Sequence, residues 1–464
     1  MTSVLLTHGY FLGEDPKELE TMKPYPPLGL LYVAAYLRRE GHAVEVLDST
    51  FATRDALAAR LARAPAGVLG IYTNLITRRS VVDIVRVAKA GGWTVVLGGP
   101  EAANYPAEYL ARGADVVVFG EGEETMLELL AALDDRGAHR LHGLCGTAFR
   151  DESGAVVTNP DRAQIPDLDA LPWPARDAID IDRYVDTWRR HHGTGSLNLI
   201  TARGCPYRCR WCSHAVFGYS HRRRSVTDTA NELAFLNERY RPDIVWYADD
   251  VFTIHHRWLH EYAAELKRRG LRVPFETISR ADRMMKDDVL ATLAEMGCWR
   301  IWIGAESGSQ RILDAMERGV TVEQVLFAVR AAKRHGIQVG MFLMWGYDGE
   351  TIDDIAATVD LVTQAEPDTF LTTVAYPIKN TPYFDALGDR VTAPSEWAES
   401  TDRDYGVGGR YPRGLYGHAD RWLREAVAAR GPDPAASAQA RAAAQQARAA
   451  MLALAGNGSP LASP

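Results

Sequence analysis

Three of the chain's five cysteines fall within eight residues, Cys205, Cys209 and Cys212, in the spacing CxxxCxxC. The apolar run Leu197-Asn198-Leu199-Ile200-Thr201 leads straight into them. The thiols are therefore expected on a loop just past the carboxyl end of a strand. Closely spaced cysteine thiolates are the usual ligands of iron–sulfur clusters. Three of them can hold three irons of a 4Fe–4S cubane and leave the fourth iron open to a substrate or cofactor. The competing chemistry is a closed, tetrahedral zinc site, which would need a fourth ligand from His214, Cys145 or Cys298.

The elements that must position this loop form a repeat. Strands are predicted at 196–201, 243–248, 273–278, 300–304, 338–345 and 369–376. Helices at about 228–240, 256–269, 286–297, 322–335 and 351–365 separate them. Six such units predict an open, partial (β/α)6 barrel, with chemistry at the carboxyl ends of its strands. Polar residues collect at those ends: Asp249-Asp250, Ser279-Arg280, Glu306-Ser307 and Tyr347-Asp348-Gly349-Glu350. Any one of these pairs reads equally well as a helix cap or a surface group. Five consecutive strand ends of this kind, counting the cysteine loop, read as a site.

The amino-terminal third alternates in the same way. Strands at 4–6, 43–48, 68–72, 94–99 and 115–120, with helices between, predict a doubly wound parallel sheet. Ligands of such sheets bind at the strand carboxyl ends. Here those ends are Gly9, Asp48, Tyr72-Thr73-Asn74, Gly98-Gly99-Pro100 and Gly120-Glu121-Gly122-Glu123. Residues 146–190, rich in Asp, Pro and Ala, read as a linker punctuated by prolines. The expected domains are 1–145, a linker at 146–190, a core at 191–390, and an extension at 391–464. In that extension Trp397, Tyr405, Tyr411 and Tyr416 lie among arginines, to cap the barrel or to pack against it. Residues 434–455 are Ala-rich and helix-prone, and 456–464 are Gly/Ser/Pro.

Composition bounds the rest. The 464 residues carry 52 Lys+Arg against 60 Asp+Glu, a net charge of −8. Mild acidity argues against a nucleic-acid-binding surface. The run Arg222-Arg223-Arg224 reads as a solvated loop. The cysteine usage is not a disulfide framework and points to a reducing compartment. The amino terminus lacks signal-peptide character, and no apolar run approaches the roughly 20 residues of a membrane span. A soluble, cytoplasmic protein is expected.

CxxxCxxC with Trp211 before its last cysteine resembles the radical S-adenosylmethionine (SAM) superfamily. The resemblance extends over about 195–380. It implies a 4Fe–4S cluster on Cys205, Cys209 and Cys212 whose open iron chelates SAM, and cleavage of SAM to a deoxyadenosyl radical. It places Asp249 and Asp250 near the SAM amino group and Arg280, after Ser279, on the SAM carboxylate. It puts Glu306, beside Ser307, on the ribose or as an orienting group. Gly346-Tyr347-Asp348-Gly349-Glu350-Thr351 resembles the family's GxPGET turn, with Asp348 where Pro is usual and a less rigid turn therefore expected. Residues 1–140, through Pro26-Pro27-Leu28-Gly29-Leu30, Gly98-Gly99-Pro100 and Gly120-Glu121-Gly122-Glu123, resemble the cobalamin-binding domain that precedes many radical SAM cores. There is no DxHxxG motif, so no histidine is marked as a cobalt ligand. Tyr72, Asn74, Gly98, Gly99, Gly120, Glu121 and Gly122 are the candidates around the corrin. The resemblance implies a cobalamin-dependent radical SAM methyltransferase acting on an unactivated carbon of a small molecule. It also implies an external electron donor such as flavodoxin or ferredoxin. The alternative is oxidation, cyclisation or ring rearrangement on the same scaffold, as in anaerobic magnesium-protoporphyrin ester cyclases, with or without cobalamin.

Overall fold

The computed structural model describes residues 3–134 and 141–457, so nearly all of the Gly/Ser/Pro end read at 456–464 lies outside the described residues. The chain forms two compact units. One comprises Met1–Pro206, Ser213–Ala248 and Ser395–Asp402, the other Tyr207–Cys212, Asp249–Pro394 and Arg403–Pro464.

The first unit is built on a sheet of seven strands among the described residues. Five are parallel: β1 (Val4–His8), β2 (Val44–Leu47), β3 (Val68–Tyr72), β4 (Thr94–Gly98) and β5 (Val116–Val118). Their order is β2-β1-β3-β4-β5. Successive side chains leave a strand on opposite faces, and the two cores follow that rule. Leu5, Leu69, Ile71, Val95 and Leu97 pack with Leu57 and Leu61 of helix Arg54–Arg63, and with Val81, Ile84 and Val85 of helix Arg78–Ala90. Val4, Leu6, Val68 and Val96 pack on the other face with Leu30, Ala34 and Leu37 of helix Leu28–Arg39, and with Leu129 and Leu130 of helix Gly122–Asp134. Burial on both faces explains why these strands read as nearly unbroken apolar runs.

Residues 147–158 do not behave as irregular chain. They form β6 (Thr147–Arg150) and β7 (Val156–Thr158), which extend the sheet antiparallel from β5. Ala148 and Phe149 are fully buried there, and that burial outweighs a weak local strand signal. A helix, Ile181–His192, begins within 146–190 and runs just past it, capped by Asp180. The crossing around Ile165, Leu168 and Leu171 is held by a small apolar cluster. This unit also contains β8 (Ser196–Leu199), the short antiparallel pair β9 (Ala202–Arg203) and β10 (Arg222–Arg223), and β11 (Ile244–Tyr247), parallel to β8.

The basic run does not form the solvated loop expected of it. Arg224 is 4% exposed and pairs with Glu232 at 2.5 Å and Asp228 at 2.6 Å. Arg222 pairs with Glu121 at 2.7 Å. Arg222 and Arg224 look solvated only while their carboxylate partners, one of them 101 residues away, are out of view.

In the second unit, β12 (Phe275–Ser279), β13 (Cys298–Glu306), β14 (Gln338–Trp345) and β15 (Thr369–Val374) run parallel in sequential order. Helices Asp287–Met296, Val322–Arg334 and Ile352–Ala365 connect them. Thr321 with Gln324, and Thr351 with Asp354, form capping boxes that fix where the last two helices begin. All four strands therefore end on the same edge. Helices Arg413–Ala428 and Pro434–Asn457 pack together at the carboxyl end. Among the described residues no helix is long and apolar enough to cross a membrane.

Candidate functional site

In the second unit, the ends of β12 and β13 lie beside Cys209, through Arg280 and through Arg318 on the Gly304 carbonyl. Cys209 is buried, Cys205 and Cys212 are half-buried, and none is in a disulfide. Arg280, directly after β12, is 2% exposed. Its Nη1 donates to the Cys209 sulfur at 3.9 Å. Its Nε donates to Asp282 at 2.9 Å, and its Nη2 to the carbonyls of Arg318 and Gly319 at 2.7 and 3.3 Å. The guanidinium also lies 3.6 Å from the ring centre of Tyr207, within the cysteine loop itself. One of its five N–H groups is left for anything else, so a two-pronged grip on a ligand carboxylate would require it to release a partner.

Arg318 was not singled out in the sequence, because nothing in Met316-Glu317-Arg318-Gly319 marks it. Its Nη1 donates to the same sulfur at 3.7 Å and its Nη2 to the Gly304 carbonyl at 3.0 Å. Its Nε stands 3.7 Å from Glu306. Glu306 closes β13 with φ of +59°, in the left-handed region that a non-glycine residue enters at a cost. Burial pushes its carboxyl up to about 7, against the pull of Arg318 and Arg280. Two guanidiniums aimed at one sulfur suit a thiolate ligand rather than a neutral thiol. The donor set therefore fits an iron–sulfur cluster.

The remaining predicted residues separate. Asp249 is buried, whereas Asp250 opens to solvent. The surrounding protein and the Asp249 charge push Asp250 to about 6, an effect its access to water limits. Ser279 is buried, bonded to Thr253 at 2.5 Å and donating to the Arg280 carbonyl at 3.3 Å. Ser307 faces the helix Ile352–Ala365, with its hydroxyl 3.3 Å from Thr358 and accepting from the Ser309 N–H at 3.1 Å. The neighbouring Gly308 is pressed so close that an added Cβ would stand 2.1 Å from the Ala357 carbonyl oxygen. In the GxPGET-like turn, Arg390 grips both oxygens of Asp348 at 2.8 Å. An ion pair thus clamps the turn that proline would have stiffened.

At the strand ends of the first unit, a cleft of about 220 Å³ is lined by His8, Tyr10, Glu18, Lys23, Tyr72 and Asn74, among others. Tyr72 and Asn74 thus share one cavity. Asn74 also caps the turn that follows, accepting from the Ile76 N–H at 3.2 Å. Gly99 has φ of +99°, and a Cβ there would come within 2.3 Å of the Thr73 carbonyl oxygen, so the β4 end has room for glycine alone. Gly98 accepts from the Thr73 N–H at 2.7 Å. Gly120 has φ of +75° and Gly122 opens a helix.

Glu121 lies apart from these in its duty. Both its oxygens are taken, by Arg203 at 2.6 Å, Arg222 at 2.7 Å and the Ile165 N–H at 2.8 Å. Glu123 holds the second arm of Arg203 at 2.5 Å. Both ring nitrogens of His8 are also occupied. Nε2 meets Asp48 at 2.9 Å, and Nδ1 accepts from the Tyr10 N–H at 3.2 Å and meets the Ser49 hydroxyl at 3.0 Å. Burial opposes ionisation of Asp48, but the His8 bond and charge prevail and hold its carboxyl below the usual range. The glycine-rich strand ends and polar cleft fit a corrinoid, with no free imidazole offered by His8.

Comparison with known proteins agrees with this geometry. A profile of the B12 binding domain matches residues 21–130, and one of the radical SAM superfamily matches 199–362. An uncharacterized methyltransferase of Pyrococcus horikoshii is 30% identical over 389 residues, 82% of each chain. The anaerobic magnesium-protoporphyrin IX monomethyl ester cyclase of Rubrivivax gelatinosus is 26% identical, over 79% of this chain and 67% of its own. Among solved structures, the cobalamin-dependent SAM radical enzyme OxsB with aqua-cobalamin bound shares the fold. Its TM-score is 0.77 at 18% identity, covering 100% of this chain and 74% of that one. The chain belongs to the radical SAM superfamily, among the enzymes that carry a B12-binding domain ahead of the radical SAM domain, and its cofactors are a 4Fe–4S cluster, SAM and cobalamin.

Proposed function

We propose that this enzyme is a methyltransferase that delivers a methyl group to an unactivated carbon of a small molecule. The observation that carries the reading is the presence of both modules in one chain, together with a 30% identical methyltransferase spanning 82% of each. When bound, the cofactors would supply a deoxyadenosyl radical and a transferable methyl group. The protein's own part is positioning and exclusion of water. Cys205, Cys209 and Cys212 hold the cluster. Arg280 offers its remaining N–H to the SAM carboxylate, a single charge-assisted bond rather than a fork. Glu306 and the Asp249–Asp250 pair present acceptors to the ribose hydroxyls and the ammonium group. Ser279 and Ser307 hold the strand ends in place from behind. In the first unit Tyr72, Asn74, Gly98, Gly99, Gly120 and Gly122 line the corrinoid site, and Glu121 braces it through Arg203 and Arg222. The electron comes from a small external donor of the flavodoxin or ferredoxin kind, which places the enzyme in the reducing cytoplasm.

A second reading, cyclisation or oxidation on the same scaffold, is favoured by the 26% identity to the protoporphyrin ester cyclase. One experiment separates the two. Anaerobically reconstituted enzyme is given SAM with a deuterated methyl group and candidate substrates, and products are read by mass spectrometry. Methyl transfer adds three deuteriums to the product carbon skeleton. A product lighter by two hydrogens, with no label, overturns methylation in favour of the cyclase-like reading.

A further inference from the structure

We propose that Arg318, acting with Arg280, sets the reduction potential of the iron–sulfur cluster by donating to the sulfur of Cys209. The inference rests on the assignment of Cys209 to the cluster and adds a role for a residue that no motif includes. Reduction brings one electron into the cluster and moves no atom. The added negative charge spreads onto the sulfurs, so hydrogen bonds and positive charge at a ligand sulfur favour the reduced form and raise the potential.

The geometry gives Arg318 this effect in three ways. First, the guanidinium is 7% exposed, so water does little to screen it. Second, its position does not depend on the sulfur. The Gly304 carbonyl at 3.0 Å and Glu306 at 3.7 Å hold it, and Nη1 is thereby left pointing at Cys209 at 3.7 Å. The fit against β13 is close, since a Cβ on Gly304 would meet Arg318 Nη2 at 2.6 Å. Third, the two arginines are coupled. The Arg318 carbonyl accepts from Arg280 Nη2 at 2.7 Å, and Arg280 reaches the same sulfur at 3.9 Å while lying over Tyr207. A purely structural ion pair with Glu306 would not require two guanidiniums to converge on one of three cysteines. Arg318 is a positioning residue in this account, because it acts on the reaction through the cluster.

The test is a dithionite titration of the anaerobically reconstituted full chain, followed by electron paramagnetic resonance, on wild type, Arg318→Lys and Arg318→Gln. Iron is counted first. The expected result is about four irons per chain in all three. At a fixed solution potential, the ratio of reduced to oxidised cluster in R318Q should be at least roughly tenfold below wild type, about 59 mV for a one-electron couple. R318K, which keeps the charge but loses the planar fork, should fall between. A wild-type midpoint in R318Q with iron intact would overturn the proposal. Loss of iron from both variants would also overturn it, since Arg318 would then build the loop rather than set its potential. Absence of iron from the wild type itself would instead mean that the cysteine assignment has failed.

Discussion

Glu350 holds a carboxyl where an ionised one is poorly served. Its Oε2 accepts from the Gly346 N–H at 2.6 Å, while its Oε1 has no hydrogen-bond partner among the described residues. Burial, helped by Asp354 and opposed by the Gly346 N–H and Arg410, pushes it up to about 8. Its folded pKa therefore lies above its unfolded value, and the folded state binds more protons than the unfolded one between about pH 4.5 and 8. Stability falls as pH rises through that window. Glu306, at about 7, acts in the same sense. Glu350→Gln is expected to flatten the difference in urea stability between pH 5.5 and pH 8.5, each pKa unit being about 1.4 kcal/mol, for a few kcal/mol at most. An unchanged slope would show that the ionised carboxylate is well solvated in the fold. Arg280 carries a second prediction at this scale. With one N–H to offer, its loss in Arg280→Ala should weaken SAM binding by about 1.5–3 kcal/mol, the range for charged hydrogen bonds. Anaerobic titration of SAM into cluster-loaded protein measures this, with Arg280→Lys as a variant that keeps the charge. Wild-type affinity in both would remove Arg280 from the SAM site.

At the scale of elements, the segment Ser395–Asp402 belongs to the first unit although it lies far along the chain. Arg78, at the start of helix Arg78–Ala90, is fully buried. It pairs with Glu101 at 2.6 Å and Asp402 at 2.7 Å and donates to the Ser400 carbonyl at 3.0 Å. Tyr105 donates to Asp402 at 2.6 Å, and the rings of Tyr105 and Trp397 each lie 4.6 Å from the guanidinium. Burial still lifts Glu101 to about 7 against the arginine's pull, so the charges are partnered but not solvated. Removing one partner of such a buried group strands the others, at about 3–5 kcal/mol. Asp402→Ala should therefore lower stability by that amount and expose residues 395–402 to protease. Arg79→Ala, which breaks only the exposed pair with Glu399, should change it by less than about 1 kcal/mol. Comparable melting temperatures for the two variants would refute the view that this strap is fastened by its buried charges.

For the whole molecule, the outcome to be tested is how cobalt is held. Both nitrogens of His8 are occupied by Asp48, Ser49 and the Tyr10 backbone, which keeps its ring from acting as a ligand. Cobalamin bound to the full chain is expected to be base-off, with no protein nitrogen beneath the metal. Electron paramagnetic resonance of the cob(II)alamin form should show no nitrogen superhyperfine splitting, in wild type and His8→Ala alike. A splitting that vanishes in His8→Ala would assign that ligand to His8 and refute the reading of its hydrogen bonds. Failure to take up any corrinoid would move the function from methyl transfer toward SAM chemistry alone.

The local parts of this enzyme were legible in its residues. The cysteine loop is a spacing within eight residues, and the βα alternation is a periodicity that short stretches carry by themselves. Eleven predicted parallel strands start within two residues of their observed positions, from β1 at Val4 to β15 at Thr369, because most are apolar runs buried between helices. β6 and β7 were hidden in Asp- and Pro-rich chain, since an antiparallel edge pair owes its burial to β5 rather than to its own residues. The partnerships that decide side-chain duty were equally hidden. Only folding brings Arg318 to Cys209, 109 residues away, and Asp402 to Arg78, 324 away. Only folding turns Arg222 from a solvated charge into a brace for Glu121. An ion pair or an N–H···S bond acts over a few ångströms and follows no spacing rule along the chain. Sequence therefore determined the elements and the chemistry of the loop, while tertiary structure alone decided which charges meet and what they hold in place.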